Sequence, residues 1–112
     1  MSKLITIRSI VIVNLHSPRE KIWGVLLSIN SYGITVRGID INSFQDWTRS
    51  VANETDSIGL STMFIPMIRV EKVTLDESVG PFKSFSEQFQ DRVGRSVLEA
   101  LDVPEDDYHL DL

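Results

Sequence analysis

The hydrophobic residues in the first half of the chain follow the spacing of β-strands. Residues 5–15 are dense in β-branched side chains, and residues 10–13 have no polar position at all, which is typical of a strand covered on both faces. Residues 21–29 and 34–41 carry two further strand patterns, and short stretches rich in Ser, Asn, Pro and Gly separate the three segments. We therefore predict three consecutive strands joined by tight turns.

A glycine lies in the middle of the second predicted strand. Gly24 has no side chain to pack, so it weakens strand pairing unless the chain bends sharply there or another backbone approaches closely. Small barrels need such bends. Gly24 therefore predicts a bend or a close backbone contact in the second strand.

The hydrophobic period changes to that of a helix after the third strand. Phe44 and Trp47 fall on one helical face. Ser43 and Asp46 resemble a capping box with Asp in place of Glu. We therefore predict a short amphipathic helix over residues 44–53.

A strand pattern returns over residues 62–75, but a proline interrupts it. Pro66 cannot donate a hydrogen bond to a neighbouring strand, so the chain should bend there or lie at an edge of the sheet. The pattern thus predicts two strand segments, 62–65 and 68–75, and five strand segments in total.

The last part of the chain is predicted to be helical. Ser84 and Glu87 form a capping box ahead of a helical pattern that contains Phe89. Gly94 leaves two alternatives: it caps this helix and a second one begins near Ser96, or it lies inside a single helix at a cost of about 1 kcal/mol relative to alanine. Aromatic side chains at helical spacing form either a docking surface or part of the core, and we predict core for the five in these helices: Phe44, Trp47, Phe82, Phe85 and Phe89.

Length and composition indicate a single globular domain. The chain has 112 residues, 42% of them hydrophobic and 24% charged, which suits one domain with an ordinary core. We assign residues 1–101 to a small β-barrel domain with a C-terminal helical segment, and residues 102–112 to an acidic tail. The absence of cysteine excludes disulfides, thiolate zinc sites and a cysteine nucleophile.

The net charge of -5 comes from the tail. Five of the 16 acidic residues lie there, and the remaining 11 equal the 11 basic residues, so the body is formally neutral. Nucleic-acid binders usually present a basic stripe, whereas Arg8, Arg37, Arg69 and Lys72 are scattered along the chain. We therefore expect no nucleic-acid partner, unless these four residues meet on one face.

Few residues offer catalytic or metal-binding chemistry. His16 and Ser17 are neighbours in a turn, a placement that does not aim one side chain at the other as a nucleophile and its base require. We expect the adjacent acids Asp76 and Glu77, at a strand end, to face water. In the tail, Asp107, His109 and Asp111 alternate and would bind a divalent cation only weakly. We predict no catalytic residues, no cofactor and no metal.

The order of strands and turns resembles that of small SH3-like barrels and, among them, the Sm-like family. The resemblance covers residues 8–76 and rests on positions that look like the first and second Sm motifs: Gly24, Asn30, Ile34 and Val36, then Phe64, Ile65, Val70 and Val73. It implies a strongly bent antiparallel barrel, with a helix inserted here between strands three and four. Asn30 stands where the family usually has aspartate, and Pro66-Met67 where many members have a basic residue and glycine for RNA contact, so none of the RNA-contact residues carries over.

The function that the sequence favours is a non-enzymatic interaction or assembly module, and the alternative is an Sm-like RNA- or DNA-binding barrel. In Sm-like barrels the region around the fourth and fifth strands pairs with the neighbouring subunit, and an uncovered strand edge invites such pairing. We therefore predict a homo-oligomer that associates through strand edges. Its candidate contact residues are Phe64, Ile65, Met67, Ile68 and Val70.

Two features of the sequence argue against the oligomer. Arg69, Glu71 and Lys72 are charges that would protect the edge of a monomer, and the C-terminal helix would remove the edge by covering it. No stretch approaches the roughly 18 uninterrupted apolar residues of a membrane span. We therefore expect a cytoplasmic protein without a membrane partner.

Overall fold

The computed structural model describes residues 4–55 and 57–103 and contains a five-stranded antiparallel sheet with three α-helices. The strands are β1 (Ile10–Leu15), β2 (Glu20–Ile29), β3 (Gly33–Asp40), β4 (Ser61–Pro66) and β5 (Val70–Leu75). The helices are α1 (Phe44–Ala52), α2 (Phe85–Val93) and α3 (Val97–Leu101). Single 3₁₀ turns, Ile41–Ser43 and Met67–Arg69, precede α1 and β5.

The strand order across the sheet is β4-β3-β2-β1-β5, and every neighbouring pair is antiparallel. The prediction of five strand segments with a helix between β3 and β4 is confirmed, but residues 68 and 69, predicted to begin the fifth strand, belong to the 3₁₀ turn. In the part of the chain that the structure describes, β4 pairs only with β3 and β5 only with β1, so the sheet is open. The fold is a compact mixed α/β fold in which β4 and β5 are the two edges.

Each face of the sheet carries its own hydrophobic core. The outer core lies between the sheet and the three helices, and consists of Trp23, Val25, Leu27, Ile39, Phe44, Trp47, Phe89, Val97 and Leu101. The inner core has no helical member, and consists of Val11, Val13, Leu15, Ile22, Leu26, Ile34, Val36 and Ile65. Successive residues of β2 alternate between the two cores, which explains why its buried part, residues 22–27, has no polar position.

The aromatic side chains of the helices build the outer core. The ring of Trp23 lies 4.8 Å from that of Phe44, measured between centroids. Trp47 stacks on Phe89 at 5.0 Å. These contacts confirm the prediction that the helical aromatics belong to the core. Phe82 is the exception, because it lies in the loop before α2 and is exposed.

The prediction that the first strand begins at residue 5 is wrong. Residues 6–9 form a turn, in which the amide of Ser9 donates to the carbonyl of Thr6 at 3.0 Å. Arg8 adopts a φ of 81° in this turn, a left-handed conformation that costs a non-glycine residue energy. β1 therefore starts only at Ile10.

Local sequence predicted the start of α2 correctly but the cap of α1 wrongly. Ser43 makes no side-chain capping bond to α1, so the capping box predicted there is wrong; the preceding 3₁₀ turn is capped instead by Asp40. The capping box of Ser84 and Glu87 at the start of α2 is confirmed. Gly94 ends α2 with a φ of 86°, so the residues after it form a second helix and not a continuation.

Gly24 is explained by a close backbone contact. It pairs with Gly38 of β3, and a Cβ atom added to Gly24 would lie 2.3 Å from the carbonyl oxygen of Arg37. A Cβ added to Gly38 would lie 2.0 Å from the carbonyl oxygen of Trp23. No side chain fits at either position, because the two strands touch through their backbones.

The capping box should make the start of α2 sensitive to acid. Hydrogen bonds from the hydroxyl of Ser78 and the amide of Ser84 hold the pKa of Glu87 below its usual 4.5. A carboxyl whose pKa is lowered by folding stabilises the fold above its unfolded pKa, and this stabilisation disappears as the pH falls through the folded pKa. We expect hydrogen-exchange protection of the α2 N-terminal amides, corrected for intrinsic exchange, to fall as Glu87 is protonated. Glu87→Gln should reduce that pH dependence, although the carboxylate of Asp76 also accepts from the amides of Phe85 and Ser86; an unchanged profile would contradict the assignment.

Candidate interaction surface

Two long stretches of this chain contain no charged residue. Residues 22–36 run from β2 into β3, and residues 57–68 include β4 and the start of the following 3₁₀ turn. The register of the sheet brings them together, because Gly33 at the start of β3 pairs with Pro66 at the end of β4. The corner of the sheet formed by the β2–β3 turn and the end of β4 is therefore built from uncharged residues, in a chain that is 24% charged.

Large apolar side chains are exposed at this corner. Ile68 is 83% exposed, Tyr32 81% and Phe64 54%. Ile29 is also exposed, and Met67 is partly buried. We call this group of five residues the apolar end.

Backbone contacts hold the apolar end together. The amide of Met67 donates to the carbonyl oxygen of Tyr32 at 2.9 Å, which ties the 3₁₀ turn to the β2–β3 turn. The side chain of Asn30 accepts from the amide of Tyr32 at 2.8 Å. A Cβ added to Gly33 would lie 2.6 Å from Cζ of Phe64, so the phenylalanine ring lies against the glycine. The surface is thus fixed by the fold, which lowers the entropy cost of binding.

The edge of β4 adds unpaired backbone groups to this surface. The bond from Met67 to Tyr32 fixes which residues of β4 exchange hydrogen bonds with β3, since such pairs alternate along an antiparallel ladder. By this alternation, the amide and carbonyl groups of Thr62 and Phe64 point to the free side of β4. β4 contains no charged residue, so only Pro66 opposes the addition of another strand.

The edge of β5 is better protected. β5 carries two exposed charged residues, Glu71 and Lys72, and its register with β1 shifts after Asn14. Charges and bulges both discourage strand addition. The two edges of the sheet therefore differ, and β4 is the one open to pairing.

The structure separates the five predicted contact residues. Phe64, Met67 and Ile68 belong to the apolar end. Ile65 is only 6% exposed and packs in the inner core, so its side chain is not on the surface. Val70 begins β5 and packs against the same core.

Ile29 and Tyr32 were missed by the sequence analysis. The signal that could have found them is the uncharged stretch 22–36, which ends in an exposed turn. Its meaning depends on β4 being its neighbour, which only the sheet register reveals.

Neither the C-terminal helix nor the charge of Arg69 protects the edge of β4. Phe85 and Phe89 of α2 pack on the aromatic rings of α1, with Phe85 at 4.9 Å from Phe44 between ring centroids. Arg69 donates to the carbonyl of Pro18 at 2.8 Å and to Glu20 at 3.2 Å, so it holds the β1–β2 turn.

Asp76 does not face water as predicted for the acid pair at the end of β5. Its carboxylate accepts from the indole Nε1 of Trp23 at 3.2 Å and from the amides of Phe85 and Ser86, both at 2.8 Å. The hydroxyl of Ser86 also donates to it at 2.7 Å. Asp76 therefore connects the sheet to α2 and has a structural role.

Two of the four scattered basic residues are engaged in the fold. The Arg37 guanidinium donates to the carbonyl oxygen of Leu101 in α3 at 2.6 Å, whereas Arg69 binds the β1–β2 turn. These two side chains serve different elements. They do not form a common stripe of the kind that binds phosphates.

The remaining candidates for chemistry stay apart from the apolar end. Nδ1 of His16 lies 3.3 Å from Oγ of Ser17, and both residues are exposed in the β1–β2 turn. Within residues 4–55 and 57–103, no group of three or more His, Cys, Asp or Glu is placed to hold a metal ion. The alternating Asp107, His109 and Asp111 lie outside the described residues.

Comparisons with known proteins identify no relative. No protein-family model matches the chain. No curated protein and no solved structure matches it either. Among the helices in the described part of the chain, none is long and apolar enough to cross a membrane.

Proposed function

We propose that this protein is a non-enzymatic self-association module whose contact surface is the apolar end together with the free edge of β4. The observation that carries the proposal is the coincidence of an open, uncharged strand edge with exposed Phe64 and Ile68. Exposed apolar side chains that adjoin one another are typical of interaction sites, whereas isolated ones are ordinary.

A second copy of the chain is a suitable partner because the apolar end contains no charged residue. Residues 57–68 and 22–36 contain no charged side chain, so the charge nearest to the edge is the Arg37 guanidinium, which donates to Oγ1 of Thr62 at 3.1 Å. The edge supplies main-chain hydrogen bonds, and the exposed side chains supply apolar area. Main-chain hydrogen bonds and apolar side chains together stabilise many contacts made by strand addition.

We also propose that the fold is a small Sm-like barrel. The inner core supports this, because residues from β1 to β4 form it, β5 packs against it, and none of the three α-helices contributes a residue to it in the described part of the chain. Val11, Val13, Ile34 and Val36 are nevertheless fully buried. A sheet that buries its own inner face must be strongly bent, as a barrel requires. Closure would need β4 and β5 to meet, either within one chain or through a neighbouring copy.

Ile68→Lys tests the self-association proposal. Ile68 is 83% exposed, so a lysine there should leave the fold intact but place a charge in the contact. We expect the wild-type protein to exceed 12.7 kDa in light scattering at tens of micromolar, and the variant to return to that mass. The apparent dissociation constant should rise at least about tenfold.

Val79→Lys is the matched control. Val79 is 66% exposed and lies in the loop before α2, outside the apolar end. This variant should keep the mass of the wild type. A wild-type mass of 12.7 kDa that does not change with concentration would refute self-association, and equal effects of the two variants would refute the assignment to the apolar end.

The Sm-like alternative predicts binding to RNA or DNA, and we expect none beyond a non-specific level. The body of the chain is formally neutral, and Arg37 and Arg69 are engaged within the fold. The dissociation constant for RNA should be about 10⁻⁴ M or weaker at physiological salt. A gel shift at micromolar protein measures this. A clear complex that weakens steeply as salt rises would favour the alternative.

A further inference from the structure

The segment that precedes β1 is apolar but has no place in the fold. Leu4, Ile5 and Ile7 are all exposed, and residues 4–7 enter no strand. The segment contains no charge, and two of its four residues are isoleucine, which favours strands. It therefore has the composition of a strand without a partner.

The turn at residues 6–9 is what keeps this segment out of the sheet. The sequence pattern runs as one strand from residue 5 to residue 15, but the chain reverses at Arg8 with a φ of 81°. A non-glycine residue in this conformation is strained, and straightening the turn would relieve that strain while breaking the bond between the amide of Ser9 and the carbonyl of Thr6. Strained hinge loops of this kind favour the exchange of segments between copies.

We propose that residues 4–7 of one copy form a strand along the free edge of β4 in a second copy. This inference rests on the proposed self-association and names the strand that occupies the edge. β4 offers the free backbone groups of Thr62 and Phe64, and the segment offers those of Ile5 and Ile7, whereas the amide and carbonyl of Thr6 bond to Ser9 within the turn. Strand addition would join the two by main-chain hydrogen bonds.

The apolar side chains of the two segments are compatible with this pairing. In an extended strand, Ile5 and Ile7 lie on one side and Leu4 on the other. β4 presents Phe64 on the outer face and the partly buried Met63 on the inner face. Both faces of the pair therefore contain apolar residues from each strand, and the polar residues of the two segments, Thr6, Ser61 and Thr62, are uncharged.

The other possible sites for the segment fit less well. The β5 edge carries Glu71 and Lys72. Within the same chain, β2 and β3 lie between β1 and β4 in the sheet, and residues 4–7 do not reach β4. The β4 edge of a second copy is the uncharged edge that remains.

Cross-linking between two single-cysteine proteins tests the proposal, because the natural chain has no cysteine. Protein carrying Ile5→Cys is mixed with protein carrying Thr62→Cys and treated with a short bis-maleimide; Glu71→Cys on β5 replaces Thr62→Cys in the control. All three positions are exposed. We expect the mixed species of twice 12.7 kDa in about tenfold excess with Thr62→Cys. Equal yields, or an excess with Glu71→Cys, would overturn the proposal.

Ile5→Lys provides the second measurement. It should raise the dissociation constant at least about tenfold by light scattering while leaving the thermal unfolding midpoint of the dilute monomer unchanged. If Ile68→Lys dissociates the protein but Ile5→Lys does not, the strand exchange is wrong and self-association stands. If the wild type is a monomer at every concentration, both proposals are wrong.

Discussion

Gly38→Ala should destabilise the protein by at least about 3 kcal/mol, at the upper end of what overpacking costs. The added Cβ would lie 2.0 Å from the carbonyl oxygen of Trp23 and 2.6 Å from Cα of Gly24. Both obstacles are backbone atoms of the neighbouring strand, so no rotamer change relieves the clash. β2 and β3 would have to separate at the centre of the sheet. Urea unfolding followed by tryptophan fluorescence measures the loss.

Gly59→Ala is the control for this substitution. Gly59 is exposed, has an ordinary φ, and has no atom within 4 Å of an added Cβ. Its free energy of unfolding should stay within about 0.5 kcal/mol of the wild type. Similar losses for the two variants would show that the contact between β2 and β3 is not what Gly38 is required for.

Asp76→Ala should cost about 1.5–5 kcal/mol of stability. It removes the acceptor for two amides at the start of α2, which capping studies put at about 0.5–2 kcal/mol. It also leaves the indole N–H of the buried Trp23 without its partner, and an unsatisfied buried donor costs about 1–3 kcal/mol. Thermal or urea unfolding would measure the sum. A near-ultraviolet circular dichroism change should accompany it, because the environment of Trp23 changes.

Two further variants test whether the loss of stability comes from the carboxylate of Asp76. Asp76→Asn keeps one carbonyl acceptor but loses the charge at the helix N-terminus, so its loss should lie between those of the wild type and Asp76→Ala. Glu71→Ala removes an exposed acid from the same strand and should change stability by less than about 0.5 kcal/mol. A loss at Asp76 no larger than at Glu71 would contradict the role given to its carboxylate.

Local pattern was enough to predict most elements of this fold. Strand alternation, helical spacing and the capping box of Ser84 and Glu87 are all encoded within a few residues, and each places an element correctly. Gly94 also acts locally, although only the structure decides between its two alternatives. The exceptions are local conformations without a sequence signal: Arg8 is not a typical turn residue, yet it ends the extended segment.

The sequence predicted only part of the candidate surface, because the other part depends on which strands pair. Phe64, Met67 and Ile68 form an uncharged apolar stretch that can be read directly. Ile29 and Tyr32 join them through pairing of β3 with β4, across more than 30 positions of the chain. Asp76 was misplaced for the same reason, because Trp23, one of its partners, lies 53 residues away. Long-range pairing has no signature in local periodicity.

β2 contributes side chains to the hydrophobic cores on both faces of the sheet. Trp23, Val25 and Leu27 belong to the outer core, while Ile22 and Leu26 belong to the inner core. Displacing this strand would expose both cores to water at once. Unfolding one core without the other would therefore not lower the free energy that unfolding requires. We expect the domain to unfold as a single cooperative unit, with its slowest-exchanging amides in β2.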